Sequence, residues 1–394
     1  MFSLTNLTQL TKQYSNNLLS LRSFNNVVAK KNSKCELFGI GNPLLDMITR
    51  VDQSFLDKYN LPSDENLLGG EKDYPLFVEL HKKYNVSYVA GGATQNSIRI
   101  AQWLLQKPGI TSYAGSIGND EFGEILKRTV TEDGVDAIYT VDNTKPSGTC
   151  AVMSVGRART LMACLGAAYY FDHKFLQIPE IKKKVDEASI FYISGFVVND
   201  SFPACYEIAK TAVKQNKLFA MNIAATYLCR PPHLNKFKKL MPYWDLIVGN
   251  ESEAVALGQG LGWLNKKTKL ENVSQGLMGD IIKELYNWKK INTKMPRMVI
   301  ITQGTQPTLL YAPEYGINKV TPFPVNECPP HKFVDSNGAG DGFVAGFLAQ
   351  YLNYQLKNQE PNLEKCIQAA NWSAGYVIRQ KGCTIKGLPQ YRLH

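Results

Sequence analysis

From Cys35 onward the chain alternates short apolar runs with stretches whose apolar residues recur every three or four positions. ELFGIG, VSYVAG, TSYAGSIG, IFYISGF, LFAMNIA, DLIVGN and MVIITQG read as buried strands; EKDYPLFVELHKKY, TQNSIRIAQWLLQ, DEFGEILKRTV, FPACYEIAKTAVKQ and LNKFKKLMPYW read as helices. In TQNSIRIAQWLLQ, for instance, Ile98, Ala101, Leu104 and Leu105 share one side. Alternation sustained over this length predicts an α/β fold, a doubly wound and mostly parallel sheet with helices on both faces. Ligands in such folds bind beyond the carboxyl ends of the strands. The glycine-bearing or polar turns GNPLLD, GGATQN, GSIGND, GNESE, TQGT and SNGAGD fall at that end.

Two stretches interrupt the alternation. Residues 45–69 and 137–166 hold short runs such as YTVD, TCAVMSV and RTLMACLG with turn residues between them, and predict a small β-sheet lid projecting from the main layer. Residues 260–294, lysine-rich and loosely helical, read as a peripheral elaboration, and KFVD, just before SNGAGD, reads as strand-like. The domain plan is an extension at 1–34 followed by one domain at 35–394.

Composition narrows the classes. The 394 residues are 44% hydrophobic and 20% charged, as in ordinary soluble proteins, and no run approaches the roughly 18–20 consecutive apolar residues that span a bilayer. The eight cysteines are scattered, with no CxxC pair and no histidine at ligand spacing, which argues against a zinc site and a disulfide framework. Of the net charge of +10, half is owed to Lys12, Arg22, Lys30, Lys31 and Lys34, which precede the first acid, Glu36. The remaining lysine runs read as solvated helix faces, so nucleic-acid binding has little basis, whereas a modest basic bias suits a phosphorylated substrate. Residues 1–34 carry no acid and place Leu4, Leu7, Leu10, Tyr14, Leu18 and Leu21 at helical spacing. That resembles a mitochondrial presequence, although with one arginine an unstructured tail is the plainer reading. A cytoplasmic or nuclear location is expected, or a mitochondrial one if the segment is a presequence.

The densest chemistry lies in VDSNGAGDGF, Val334 to Phe343. Glycines opening a helix aim backbone N–H groups at one point, which wants an anion. No GxxxxGK[ST] or GxGxxG is present, so neither a Walker A loop nor a dinucleotide fingerprint explains them. A carboxylate in that cradle, Asp341, opposes static phosphate binding unless it takes a proton from a nucleophile attacking the phosphate. The helix N-terminus is expected to keep it ionised; the competing reading is a capping Asp in a glycine turn. In VAGGATQNS, Gly91, Gly92 and Asn96 suggest close backbone approach to a polyhydroxylated ligand, or equally tight helix packing. In GIGNPLLD, Asn42 and Asp46 end the first strand, where a carboxylate can accept from vicinal hydroxyls or cap a turn. Asn250 and Glu253, three apart in VGNESE, could organise a hydrated Mg²⁺ or cap their helix, and Thr302 and Gly304 form a small turn suited to nucleotide phosphates.

Taken together, GSIGNDEFGE, GNESE, the TQG turn and above all DSNGAGDGF resemble the ribokinase family of carbohydrate and nucleoside kinases, with its D-T-x-G-A-G-D signature. GNPLLD, AGGATQNSIRIAQW, FGEILKR, RTLMACLGAA, YISGF, GNESEA and the GCT at Gly382 place it nearest the members acting on adenosine, and the match covers Cys35 to Cys383. The resemblance implies a ribokinase-like fold that transfers the γ-phosphate of ATP, with Mg²⁺, to the adenosine 5′-hydroxyl; a sister kinase acting on inosine, guanosine or ribose, or a silent nucleoside-binding protein, is the alternative. It implies Asp341 as base, with Gly338, Ala339 and Gly340 as anion hole and Asn337 beside them. Asp46 would hold the ribose hydroxyls with Asn96 and the Gly91-Gly92 backbone, and Asn42 and Phe196 would flank the purine. Leu161 and Ala163 would close its apolar side and Arg159 approach the phosphates. Asn250, Glu253, Thr302, Gly304 and Asn371 would lie along ATP and Mg²⁺. A monomer acting without nucleic acid or membrane is expected. Two departures are visible: Ser336 stands where the pattern's opening D-T has its threonine, which keeps a hydroxyl, and Ala93 stands where a serine is expected after the two glycines.

Overall fold

The computed structural model describes residues 34–63, 66–156 and 158–394, so residues 1–33 of the presequence-like segment lie outside the described residues. Nine strands form the main sheet in the order β14-β13-β12-β11-β10-β9-β1-β5-β6. They are β1 (Leu37–Ile40), β5 (Thr111–Gly118), β6 (Asp136–Asp142), β9 (Ile190–Ser194), β10 (Leu218–Asn222), β11 (Leu246–Asn250), β12 (Met298–Gln303), β13 (Gln306–Ala312) and β14 (Ile317–Phe323). All neighbours pair in parallel except β12–β13 and β13–β14.

Period-two alternation divides the core between the two faces. Phe38, Phe191, Phe219, Ile247 and Val299 pack on one side under the helices Phe202–Gln215, Glu251–Leu261 and Gln275–Asn287. Leu37, Ile190, Leu218, Leu246 and Met298 pack on the other under Ala93–Leu105, Ala339–Leu356 and Leu363–Val377. Strands buried on both faces need apolar residues at every position, which is why their sequences run without polar breaks. The chain leaves β1 toward β5 and β6 and later returns through β9 toward β12, so strand order reverses at β1, and the crevice beyond its carboxyl end is the expected ligand site.

The second sheet, ordered β3-β8-β7-β2-β4, comprises β2 (Leu44–Arg50), β3 (Asn66–Leu68), β4 (Ser87–Gly91), β7 (Thr149–Val155) and β8 (Ala158–Cys164). Met47, Met153, Met162 and Cys164 on one face pack against Phe55, Leu56, Phe77 and Leu80 of two covering helices. Its opposite face carries the cross-strand row Val89, Asp46, Cys150, Ala163 and Leu68, in which Leu68 is 72% exposed.

Four sequence expectations change. Residues 137–142 belong to the main sheet, paired with β5, and not to the projecting sheet. VSYVAG takes their place there as β4, because a short apolar run reads alike in either sheet. Residues 260–294 are not peripheral: the helix Gln275–Asn287 buries Met278, Ile281, Ile282 and Leu285 in the core. KFVD is irregular backbone with Phe333 and Val334 about half exposed, tied to the rest by N–H groups of Val334 and Asp335 donating to the Ile378 carbonyl.

Candidate active site

At the carboxyl ends of the central strands the backbone turns from apolar to polar. Gly41-Asn42 follows β1, Ser194 ends β9, Asn222 ends β10, and Asn250 and Thr302 sit in register at the ends of β11 and β12. The helix Ala339–Leu356 begins over this edge. Its N-cap is Gly338 at φ 77°, with no side chain capping its N-terminal N–H groups. A Cβ at residue 338 would lie 2.3 Å from Cys383 Sγ, so only glycine allows the C-terminal GCT loop to close on this turn. The Ala339 N–H donates to the Ser336 carbonyl at 3.1 Å, so of the three amides expected to form an anion hole this one is already engaged. Gly340 is exposed, and the Asn337 N–H donates to Asp335 Oδ1 at 3.0 Å.

Asp341 stands in the first turn of this helix. Asn96 Nδ2 donates to its Oδ2 at 3.0 Å, and Ser97 Oγ donates to its carbonyl at 3.1 Å, so the glycine-turn helix and the helix Ala93–Leu105 meet at the carboxylate. Protein surrounds the group although part of its surface stays open to the cleft. Burial pushes its pKa up to about 7, partly opposed by the Asn96 hydrogen bond. The expectation of a carboxylate held ionised is therefore corrected to one poised between its forms near neutral pH, where general bases work best.

Asn96 is 7% exposed, and its Oδ1 is a buried acceptor with no hydrogen-bond partner among the described residues. The glycines before it are required by their neighbours. A Cβ at Gly91 would fall 2.4 Å from Asp46 Oδ1; Gly92, at φ 91°, would place one 2.2 Å from the Asn42 carbonyl. The Asp46 carboxylate thus lies directly against the Gly91 backbone. Gln95 Nε2 donates to the Gly91 carbonyl at 2.7 Å and fixes that turn.

Asn250 and Glu253 form a capping box: Glu253 N–H donates to Asn250 Oδ1 at 2.8 Å, Asn250 N–H to Glu253 Oε2 at 3.0 Å, and Asn250 Nδ2 to Glu253 Oε1 at 2.9 Å. The capping alternative is therefore realised, and Asn250's side-chain amide is engaged. Glu253 is 8% exposed, and burial raises its carboxyl to about 7. Among the described residues no group of three or more His, Cys, Asp or Glu side chains could hold a metal directly. One buried carboxylate with no cationic partner among the described residues fits a hydrated Mg²⁺ that keeps most of its waters, rather than a protein cage.

Thr302 Oγ1 lies 3.4 Å from the Gly249 carbonyl, and Gly304 turns at φ 59°. Asn371 is buried and committed to structure: its Nδ2 donates to the Pro324 carbonyl at 3.1 Å and its Oδ1 accepts from Thr308 Oγ1 at 3.3 Å. Leu161 and Ala163 are half-buried on the small sheet's open face, in the rows shared with Ile48 and Asp46. Phe196 is 39% exposed at the start of the helix Gly195–Asp200. Arg159 pairs with Ser154 in the β7–β8 ladder; its side chain lies outside the described residues.

Several residues escaped sequence reading. Arg99, 3% exposed, donates from Nη1 to the Ala90 carbonyl at 2.6 Å and the Cys383 carbonyl at 3.3 Å, and from Nε to Asp133 at 2.6 Å, tying the GG turn to the GCT loop. The signal was an arginine within TQNSIRIAQW, a helix buried almost all round. Thr94 Oγ1 accepts from Ser194 N–H at 2.9 Å, and Asp200 binds Asn42 Nδ2 at 2.7 Å.

The chain matches the model of the pfkB family of carbohydrate kinases over residues 67–390. It is 39% identical to adenosine kinase 2 of Arabidopsis thaliana, an alignment covering 90% of this chain and 97% of the relative. It is 35% identical to adenosine kinase of Dictyostelium discoideum, again over 90% of this chain and 97% of that one. Among solved structures it resembles Anopheles gambiae adenosine kinase in complex with P1,P4-di(adenosine-5) tetraphosphate, with TM-score 0.79, 37% identity and coverage of 91% of this chain and 100% of that one. It also resembles Schistosoma mansoni adenosine kinase in complex with 2-fluoroadenosine, with TM-score 0.78, 30% identity and coverage of 90% and 98%.

Proposed function

The chain belongs to the pfkB family of carbohydrate kinases, and on that premise we propose that it transfers the γ-phosphoryl group of ATP to the 5′-hydroxyl of adenosine, giving AMP and ADP. The observation that carries the chemistry is the Asn96–Asp341 hydrogen bond, which joins a hydroxyl-reading helix to a carboxylate at an uncapped helix N-terminus.

Asp341 takes the proton of the attacking 5′-hydroxyl as the phosphoryl group arrives, and the amides of Gly338 and Gly340 stabilise the charge developing on its oxygens. Asp46 and Asn96 Oδ1 together accept hydrogen bonds from the ribose 2′- and 3′-hydroxyls. Phe196 offers its open face to the purine, and Asn42 stands at the edge. The apolar side chains of Leu161 and Ala163, on the lid, exclude water that would otherwise hydrolyse the phosphoryl donor. Thr302, Gly304 and the Asn337 turn border the ATP phosphates, with Asn371 supporting them from behind and Arg159 reaching them on closure. Asn250 and Glu253 would hold a hydrated Mg²⁺, which when bound neutralises polyphosphate charge. The domain at 35–394 then acts as one unit beneath its small-sheet lid, as a monomer in the cytoplasm.

The test is a panel of adenosine, inosine, guanosine and ribose with coupled ADP detection on the purified chain. Adenosine should have the highest kcat/KM. Turnover of another acceptor in preference would reassign the substrate, and adenosine binding without ADP release would make the protein a silent binder.

A further inference from the structure

The cleft contains a second orphaned acceptor besides Asn96 Oδ1. Asn42 Oδ1 is buried without a partner among the described residues, while Asn42 Nδ2 donates to Asp200 Oδ2 at 2.7 Å. Asp200 Oδ1 in turn accepts from Asn199 Nδ2 at 3.1 Å. Burial raises the Asp200 carboxyl, opposed by the hydrogen bonds from Asn42 and Asn199 and by the ammonium of Lys236, whose Nζ donates to the Asn199 carbonyl at 2.6 Å. An ionised carboxylate accepts only, so Asn42 must turn its N–H toward Asp200, and the amide cannot flip without facing two oxygens against each other. Phe196 and Asp200 are four apart on the helix Gly195–Asp200 and share its face. The amide clamped by Asp200 therefore stands beside the exposed aromatic ring, where the edge of a base stacked on Phe196 arrives.

We propose that Asp200 is a specificity-determining residue: by locking the Asn42 amide with its carbonyl oxygen unengaged, it makes the site demand a hydrogen-bond donor on the edge of the base. The exocyclic 6-amino group of adenosine supplies that donor. The 6-oxo group of inosine and guanosine presents an acceptor to an acceptor, and purine riboside presents nothing. This rests on the nucleoside kinase reading above and adds to it the residue that sets the choice of base.

The test compares KM and kcat, and calorimetric Kd without ATP, for adenosine, purine riboside, inosine and 2′-deoxyadenosine in the wild type, Asp200→Leu and Asp200→Asn. In the wild type adenosine should be favoured over purine riboside by roughly ten- to a hundredfold in kcat/KM, the size of one buried donor lost. Asp200→Leu frees the amide to turn over, so that ratio should fall to within about threefold of unity, with the change carried by KM and not kcat. Asp200→Asn, which still offers an oxygen to Asn42 Nδ2, should keep most of the discrimination. A wild type that handles adenosine and purine riboside alike, or an Asp200→Leu protein that turns over adenosine with the wild-type ratio, overturns the proposal. So does a loss in Asp200→Leu that follows 2′-deoxyadenosine instead of the 6-substituent. Absence of turnover with every nucleoside in the wild type would instead overturn the kinase reading itself.

Discussion

Replacing Asp341 by asparagine separates chemistry from architecture, because the side chain keeps its shape and can still accept the Asn96 Nδ2 hydrogen bond. Loss of a positioned general base costs about 10²–10⁴ in kcat. Adenosine Kd should change little, since in the proposed mechanism Asp46 and the GG turn hold the sugar. The variant should also be more stable, in a pH-dependent way. Burial raises the Asp341 carboxyl from an ordinary 3.8 to about 7, so between those values the folded state binds more protons than the unfolded one, and stability falls as pH rises. Three pKa units amount to about 4 kcal/mol, reduced to about 2–4 kcal/mol because the group is partly open to the cleft. Asp341→Asn removes that cost in full above pH 7, and by pH 5 its advantage should shrink to about a third, the part of the interval already crossed. Denaturant unfolding at pH 5 and pH 8, beside steady-state kinetics, reads both effects. A kcat within tenfold of wild type, or a stability gain that is the same at both pH values, would refute the assignment of a buried, poised base.

Gly91→Ala points a methyl group at Asp46 Oδ1, 2.4 Å from the Cβ position, and should raise adenosine KM by about ten- to a hundredfold with a smaller effect on kcat; an unchanged KM would remove Asp46 from the sugar site. Glu253→Gln can still accept the Asn250 N–H, so the helix cap should survive while the Mg²⁺ concentration for half-maximal rate rises about tenfold; an unshifted Mg²⁺ titration would leave Glu253 a cap and nothing more. Arg297 is 2% exposed and donates to the carbonyls of Met241, Trp244, Leu285, Tyr286 and Trp288, so Arg297→Met should cost about 3 kcal/mol or more in denaturant unfolding with kcat retained; a loss under 1 kcal/mol would contradict that accounting.

Most of the main sheet was legible because buried parallel strands advertise themselves: IFYIS, LFAMN and LIVGN admit almost no other reading once helices separate them. Sheet membership was not. Nothing local to β4 or β6 says which neighbour will pair with it. The β13–β14 hairpin went unread although INKVTPF alternates, because its pairing is antiparallel and at the sheet's edge, unlike the parallel strands that the chain's alternation predicts. Within the site, glycines were readable as demands for close approach, and only the fold shows what each approaches: Asp46 for Gly91, Asn42 for Gly92, Cys383 for Gly338. Asp200 and Arg99 were hidden for the opposite reason. A carboxylate in a polar stretch and an arginine on a helix look solvated until packing buries them against particular amides and carbonyls.

The central claim is that one poised carboxylate at an uncapped helix N-terminus takes the proton of the 5′-hydroxyl. The dependence of kcat/KM for adenosine on pH between about 5 and 9 tests it most directly. Below an apparent pKa of about 7 the value should fall tenfold per pH unit, reaching a plateau above it, and that limb should vanish in the residual activity of Asp341→Asn. A wild-type profile flat across neutrality, or an acid limb that persists unchanged in Asp341→Asn, would contradict it.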